Sequence, residues 1–193
     1  MSSLALAALR ALIKIDICLL QTQRLKLRKF TPQDLDLLAR LMSNPQFMRF
    51  SLGLLSLEQT AAFLEKILAG YRDNVPSQFA VLVRAENKLI GYCGFFRQTV
   101  DDVEEIEIGY RLDPNYWGQG MATEAARAVR DHAFRDLHLE RVISLIHPDN
   151  IASRRVAEKN GMTIEKETVF RGFPTMVFAL SRANYERVCP GGG

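Results

Sequence analysis

Apolar positions recur with two different periods along this chain, and the switch between them outlines the fold. The clearest alternation runs through Glu104–Leu112, where Ile106, Ile108, Tyr110 and Leu112 share one face and Glu105, Glu107 and Gly109 the other, the pattern of a half-buried strand. A glycine inside such a strand predicts a bulge or a close approach. Thr22–Arg28, Gln78–Arg84, Lys88–Arg97 and Arg141–Ile146 also read as strands, the middle two as a hairpin around Glu86-Asn87. Val169–Leu180 reads as a final strand pair around Gly172 and Pro174. Helical spacing appears over Thr31–Met42, Leu57–Arg72, Met121–Arg135 and Asn150 to about Lys159. Their starts carry the expected signals: Thr31 before Pro32, Ser56 with Gln59 three residues on, and Asn150. Gly161 marks the last helix stop.

These elements form one α/β domain over residues 21–188, with a mixed, mostly antiparallel sheet and helices on both faces. Residues 1–20, rich in Ala, Leu and Ile but holding Arg10, Lys14 and Asp16, are expected as a helical N-terminal extension. The charges argue against a membrane span, and neither a basic start nor a cleavage site suggests a signal peptide. Residues 189–193 are expected as a disordered tail. At 193 residues, 48% hydrophobic and 24% charged, the chain suits a single domain with a full core. A net charge of +3, with Lys and Arg dispersed, gives no indication of nucleic-acid binding. Cys18, Cys93 and Cys189 are too scattered for a disulfide framework or a metal site, so a reducing, cytoplasmic setting and no metal are expected.

Between the central strand and the helix at Met121 lies Asp113-Pro114-Asn115, then Gly118-Gln119-Gly120. A glycine loop opening a helix offers unpaired N–H groups at the positive end of the helix dipole, where phosphate or pyrophosphate binds. The pair of glycines serves equally as a plain turn. The loop lacks the third glycine of a dinucleotide fingerprint, and no GK[ST] follows, which excludes a P-loop.

The stretch Trp117-Gly118-Gln119-Gly120-Met121-Ala122 resembles the acyl-CoA binding segment of the GNAT superfamily of N-acetyltransferases, particularly the branch that acetylates N-termini of ribosomal proteins. Trp117 stands where the superfamily usually has Gln or Arg, as in that branch. Asn150 and Ser153, within DNIASRRVAEKNGM, match the family's Asn-x-x-Ser. The resemblance runs from about Gln21 to Glu186. It implies an acetyl-CoA-dependent N-acetyltransferase, with acetyl-CoA as donor, no metal, and a monomer or homodimer. By the same resemblance Tyr110, Leu112, Trp117, Gly118, Gln119, Gly120, Met121, Ala122, Asn150 and Ser153 bind the cofactor, Asn150 through the pantetheine arm. Asn150 also serves as an N-cap on the residues alone. Arg154 and Arg155 lie where CoA phosphates could be reached. The family's tyrosine general acid would stand at Ala157, so no general acid is assigned; a thiol near the cysteine value leaves as thiolate without one.

Five carboxylates, Asp101, Asp102, Glu104, Glu105 and Glu107, fall within seven positions, most of them read as a solvated turn and strand start. Glu107, deepest in the strand, is the candidate general base, and His147 the alternative. The resemblance implies a protein or peptide N-terminal α-amine as acceptor. A small amine such as a polyamine or aminoglycoside is the first alternative, and a non-catalytic acyl-CoA sensor, favoured by Ala157, the second.

Overall fold

A computed structural model describes residues 18–188. Eight strands form one sheet in the order β1-β2-β3-β4-β5-β6-β8-β7: β1 (Cys18–Gln21), β2 (Leu25–Arg28), β3 (Gln78–Val83), β4 (Lys88–Val100), β5 (Val103–Leu112), β6 (Arg141–Ile146), β7 (Thr163–Phe170) and β8 (Phe173–Ser181). Every neighbour is antiparallel except β5 and β6, which run parallel and share a single registered pair, Glu107↔Ile143. Beyond that pair the two strands part, and the sheet is split at its middle.

The alternation read from the sequence explains the layers. On one face, Ala80, Leu82, Tyr92 and Phe96 meet α1 (Leu35–Met42) and α2 (Leu57–Arg72) through Leu38, Met42, Leu64 and Ile67. On the other, Phe79, Val81, Phe95, Ile108 and Leu112 meet α3 (Met121–Arg135) through Met121, Ala125 and Val129, with α4 (Ile151–Lys159) beside it through Ala157. Fully burying a residue such as Phe178 on one face or Leu38 on the other contributes about 1.5–3 kcal/mol, so both faces are strongly specified. Helix α2 starts as its sequence predicts: Gln59 N–H donates to Ser56 Oγ at 3.2 Å and Ser56 N–H to Gln59 Oε1 at 2.8 Å.

Several boundaries differ from the sequence reading, each where patterning is weakest. The helical extension expected over 1–20 meets a strand at its end, since Cys18–Gln21 pairs with β2; residues 1–17 and the tail 189–193 lie outside the described residues. The Leu-Leu of this strand merges with the apolar run before it. The helix expected from Thr31 begins with a 3-10 turn, Pro32–Asp34, before α1. Strand β4 continues past Arg97 to Val100 and turns into β5 through Asp101-Asp102, both at positive φ, 49° and 63°, as a tight two-residue hairpin requires. Strand β7 begins at Thr163 rather than near Val169, because this edge strand is largely exposed and polar. A short helix, α5 (Arg182–Val188), was not foreseen; Tyr185 stacks on Phe134 with ring centroids 4.6 Å apart.

Candidate active site

Glu107 stands where β5 and β6 separate. It lies on the α1/α2 face, opposite Phe96 in the β4 register and two residues before Gly109. That glycine makes a close approach without a bulge: a Cβ there would come within 2.8 Å of the Phe96 ring and 3.5 Å of Glu107 Oε1. The half-buried Glu107 carboxylate accepts a hydrogen bond from Gln98 Nε2 at 2.7 Å and has no ion-pair partner at salt-bridge distance among the described residues. Withdrawal from water raises its pKa. Gln98, the Leu145 N–H and the charges of Arg171 and Arg111 oppose that shift without cancelling it. Three other acids of the cluster are engaged elsewhere, Glu105 with Arg141 at 3.0 Å, Asp101 with Lys166 at 2.7 Å and Glu104 with Thr99, and Asp102 is exposed in the turn. Glu107 is thus a carboxylate held near, but not by, positive charge.

Loops border the recess, the gap left where β5 and β6 part. Arg111, four residues along β5, donates to the carbonyls of Phe47 at 3.1 Å and Phe50 at 3.0 Å, pinning the segment between α1 and α2. The Phe50 ring in turn faces His147 at the end of β6, with centroids 5.7 Å apart, and Arg49 lies over Phe50. His147 Nδ1 accepts the Asp149 N–H at 3.1 Å, so that nitrogen is already committed. Gln98 and Arg171 escaped the sequence reading. Extending the alternation of Tyr92, Gly94 and Phe96 by one step would have placed Gln98 on the face of Glu107.

On the opposite side, Gly118 and Gly120 both take positive φ, 74° and 79°, and Gly120 caps α3. The N–H groups of Gly118 through Thr123 have no partner within the described residues, a row of donors at a helix N-terminus. A Cβ on Gly118 would meet nothing within 4 Å, and one on Gly120 only Arg24 Nη2 at 3.6 Å, so the space before the loop is open. The loop is anchored from behind. Trp117 Nε1 donates to the Leu112 carbonyl at 2.7 Å, and Arg24 Nη1 to the Gln119 carbonyl at 2.8 Å. Glu124, in the first turn of α3, binds the Arg24 backbone N–H and side chain and the Thr22 hydroxyl, tying the β1–β2 turn to the loop. Leu112 and Met121 bury their side chains in the core, Met121 leaving its backbone N–H for any ligand while the Leu112 carbonyl is taken by Trp117, and Ala122 packs against the same core.

Helix α4 closes the same side. Asn150 Oδ1 accepts from Ser153 N–H at 3.2 Å, so Asn150 is an N-cap whose amide nitrogen stays available. Ala157 is buried, and no tyrosine lies on α4. A phenol reaches this helix from the strand instead: Tyr110 donates to the Ser153 carbonyl at 3.2 Å. Arg154 leans on the Pro148 carbonyl, and Arg155 is exposed. Glu107 and the glycine loop therefore lie on opposite faces of the sheet, with the β5–β6 parting between them. Among the described residues no cluster of three or more His, Cys, Asp or Glu could hold a metal, and no helix is long and apolar enough to cross a membrane.

Residues 24–163 match the family model described as "Acetyltransferase (GNAT) domain". The chain is 34% identical over 145 residues to the uncharacterized N-acetyltransferase YnaD of Bacillus subtilis, covering 75% of this chain and 82% of that protein. It is 33% identical over 85 residues to the ribosomal-protein-serine acetyltransferase of Escherichia coli, covering 44% and 46%. It is 24% identical over 155 residues to that organism's spermidine N(1)-acetyltransferase, covering 77% of each. A GNAT acetyltransferase from Bacillus anthracis has a similar structure, with a TM-score of 0.72, 27% identity, and coverage of 85% of this chain and 98% of that one. With the split sheet and the open glycine loop already in place, these likenesses show that the chain belongs to the GNAT family and is an acetyl-CoA-dependent N-acetyltransferase.

Proposed function

We propose that the enzyme acetylates the α-amine of a protein or peptide N-terminus, with Glu107 as the general base. The observation that carries this reading is the Glu107 carboxylate at the β5–β6 parting, unpaired by any cation and with its pKa raised by burial. An amine must be neutral to attack. At pH 7, deprotonation costs a lysine side chain, pKa about 10.4, roughly 4.6 kcal/mol, but an α-amine near 7.8 only about 1.1 kcal/mol. One base suffices for the second. Arg111 and Arg171 beside Glu107 make the recess a poor host for a polycation such as a polyamine. The relative acting on a ribosomal-protein serine lends further support.

The donor is held by the N–H groups of Gly118, Gln119, Gly120, Met121 and Ala122 around Trp117, and along its pantetheine arm by Asn150 and Ser153 beside Tyr110 and Leu112. The amine nitrogen attacks the thioester carbonyl carbon, backbone N–H groups near Gly109–Tyr110 stabilise the charge on oxygen, and the carbon–sulfur bond breaks. The amine proton passes to Glu107 and CoA leaves as thiolate, a departure compatible with Ala157. Ala157 also motivates a second reading, an acyl-CoA sensor without turnover.

The test is thiol release from acetyl-CoA against N-terminal peptides, lysine peptides, polyamines and aminoglycosides. N-terminal peptides should turn over best, and Glu107→Gln should lower kcat/KM by on the order of 10²-fold at pH 7. Preference for a polyamine would overturn the acceptor, wild-type activity in Glu107→Gln would remove the base, and tight binding without any turnover would favour the sensor. Acetyl-CoA at about 100 times its Kd should stabilise the wild type by about 2.7 kcal/mol. Gly120→Val should lose most of that shift, through the backbone conformation its φ of 79° demands.

A further inference from the structure

Glu107 has one side-chain hydrogen-bond donor, and that donor is itself held. Gln98 Nε2 donates to Glu107 Oε2 at 2.7 Å, while Gln98 Oε1 accepts from Arg171 Nη2 at 3.1 Å. Arg171 can only donate, so it fixes which end of the Gln98 amide faces it and leaves the NH₂ end for the carboxylate. Arg171 is set in place by a tight turn: Arg171 and Gly172 take φ of 51° and 83° between the paired Phe170 and Phe173. The three residues come from β4, β5 and the β7–β8 turn, and the charge of Arg171 reaches Glu107.

We propose that Gln98, oriented by Arg171, is a positioning residue that aims the Glu107 carboxylate at the acceptor amine. The proposal rests on the reading of Glu107 as base. An amide suits the task better than a cation. A guanidinium at position 98 would pair with the carboxylate and neutralise its charge, whereas a neutral N–H, like that of Leu145, restrains the carboxylate and leaves lone pairs to receive the proton. It also opposes, without abolishing, the effect of burial on the carboxylate. The remaining polar groups around Glu107 are accounted for. From β4 and β5 come the buried phenols of Tyr92 and Tyr110, whose pKa values burial raises so that they stay protonated, and Arg111. From β6 comes the Leu145 N–H, with His147 at the strand end; α2 contributes the apolar ring of Phe63 against Phe96.

The test compares pH profiles of kcat/KM with one peptide acceptor, so that the amine's own titration is common to all variants. Gln98→Leu removes a group that favours the charged carboxylate, so the acid limb should move to higher pH, with activity returning to within about threefold of wild type at pH 9. Arg171→Gln, on an exposed turn, should move it the same way by less. Glu107→Gln should lose on the order of 10²-fold at pH 7, and adding Gln98→Leu to it should change nothing further. A wild-type limb in both Gln98→Leu and Arg171→Gln, or a pH-independent loss that adds to that of Glu107→Gln, overturns the positioning role. Wild-type turnover in Glu107→Gln would instead bring down the assignment of the base. Should Gln98→Leu fail to fold, the Arg171→Gln profile decides alone.

Discussion

Two acids, Asp34 in the 3-10 turn before α1 and Glu107 on β5, are drawn away from water and meet opposite fates. Asp34, 4% exposed, would be raised by burial but is held below the usual carboxylate range by Arg28 at 2.6 and 2.7 Å and by the Thr31 N–H at 2.8 Å. Glu107 has only neutral donors at close range, the Gln98 amide and the Leu145 N–H, and is raised. The residue type and the burial do not decide the role; the partner does. A carboxylate locked by a guanidinium stabilises the fold and has no lone pair to spare, whereas one restrained by a neutral donor remains a base at the expense of stability.

The largest expected effect breaks the first half of that contrast. Asp34→Asn leaves the Arg28 charge half-buried without its partner, and urea unfolding should show a loss of about 3 kcal/mol. Acetyl transfer per folded molecule should change little, because the pair lies outside the recess. The pH dependence has a definite sign. A depressed folded pKa gives stability present above the ordinary carboxylate value and lost as pH falls through the folded pKa, so the wild-type advantage over Asp34→Asn should shrink at the acid end.

Glu107 should behave in the reverse sense. Its raised folded pKa gives stability that is present below the ordinary carboxylate value and lost as pH rises through the folded pKa. Glu107→Gln should therefore melt higher than wild type at pH 8 and converge with it near pH 4, the variant that loses activity being the more stable one. A lower Tm for the variant at pH 8 would mean that the carboxylate supports the fold, and the contrast with Asp34 would collapse.

Glu124 sharpens the comparison with an intermediate case. Burial again acts to raise its pKa, and Thr22 and Arg24 hold it down, yet Arg24 is 42% exposed. Glu124→Gln should cost about 1 kcal/mol or less in stability. Because Arg24 also holds the Gln119 carbonyl, the Kd for acetyl-CoA should rise by a few-fold in a calorimetric titration. The smallest effect is expected from the chain's start. Removing residues 1–17 should leave turnover within about twofold, whereas removing residues through Leu20 deletes β1 and the packing of Leu20, costing about 1–2 kcal/mol.

The amphipathic stretches were legible because burial writes a period into the chain: the alternation of Ile106, Ile108 and Tyr110 and the stripe of Leu64 and Ile67 each state which face is covered. Thr163–Thr168 was not, since a strand at the sheet edge with most residues exposed has no face to declare. The Asp101-Asp102 hairpin was hidden for another reason. The acids there read as a solvated turn and strand start, but not as a left-handed two-residue hairpin, although Asp tolerates that conformation. The same pattern held at the site. Glu107 and the glycine loop stood out by type and position. The link from Arg171 through Gln98 joins residues 73 apart, a relation that register creates and no local spacing reveals.

The split sheet bears on how the molecule assembles. Strands β1 to β5 lie side by side in chain order, their pairings local except that of β2 with β3, which closes a long loop holding α1 and α2, while β6, β8 and β7 make a second, smaller set. One registered backbone pair joins the two sets in the ladder, beside side-chain links such as Glu105–Arg141, Asp101–Lys166 and Ser144 Oγ to the Ile108 carbonyl at 2.8 Å, with α3 and α4 packed across one face. A ligand that enters the parting and touches both edges acts as the missing rungs of the ladder: it should couple two otherwise loosely connected folding units, and amide exchange in β6 and in β5 beyond Glu107 should slow together when acetyl-CoA binds.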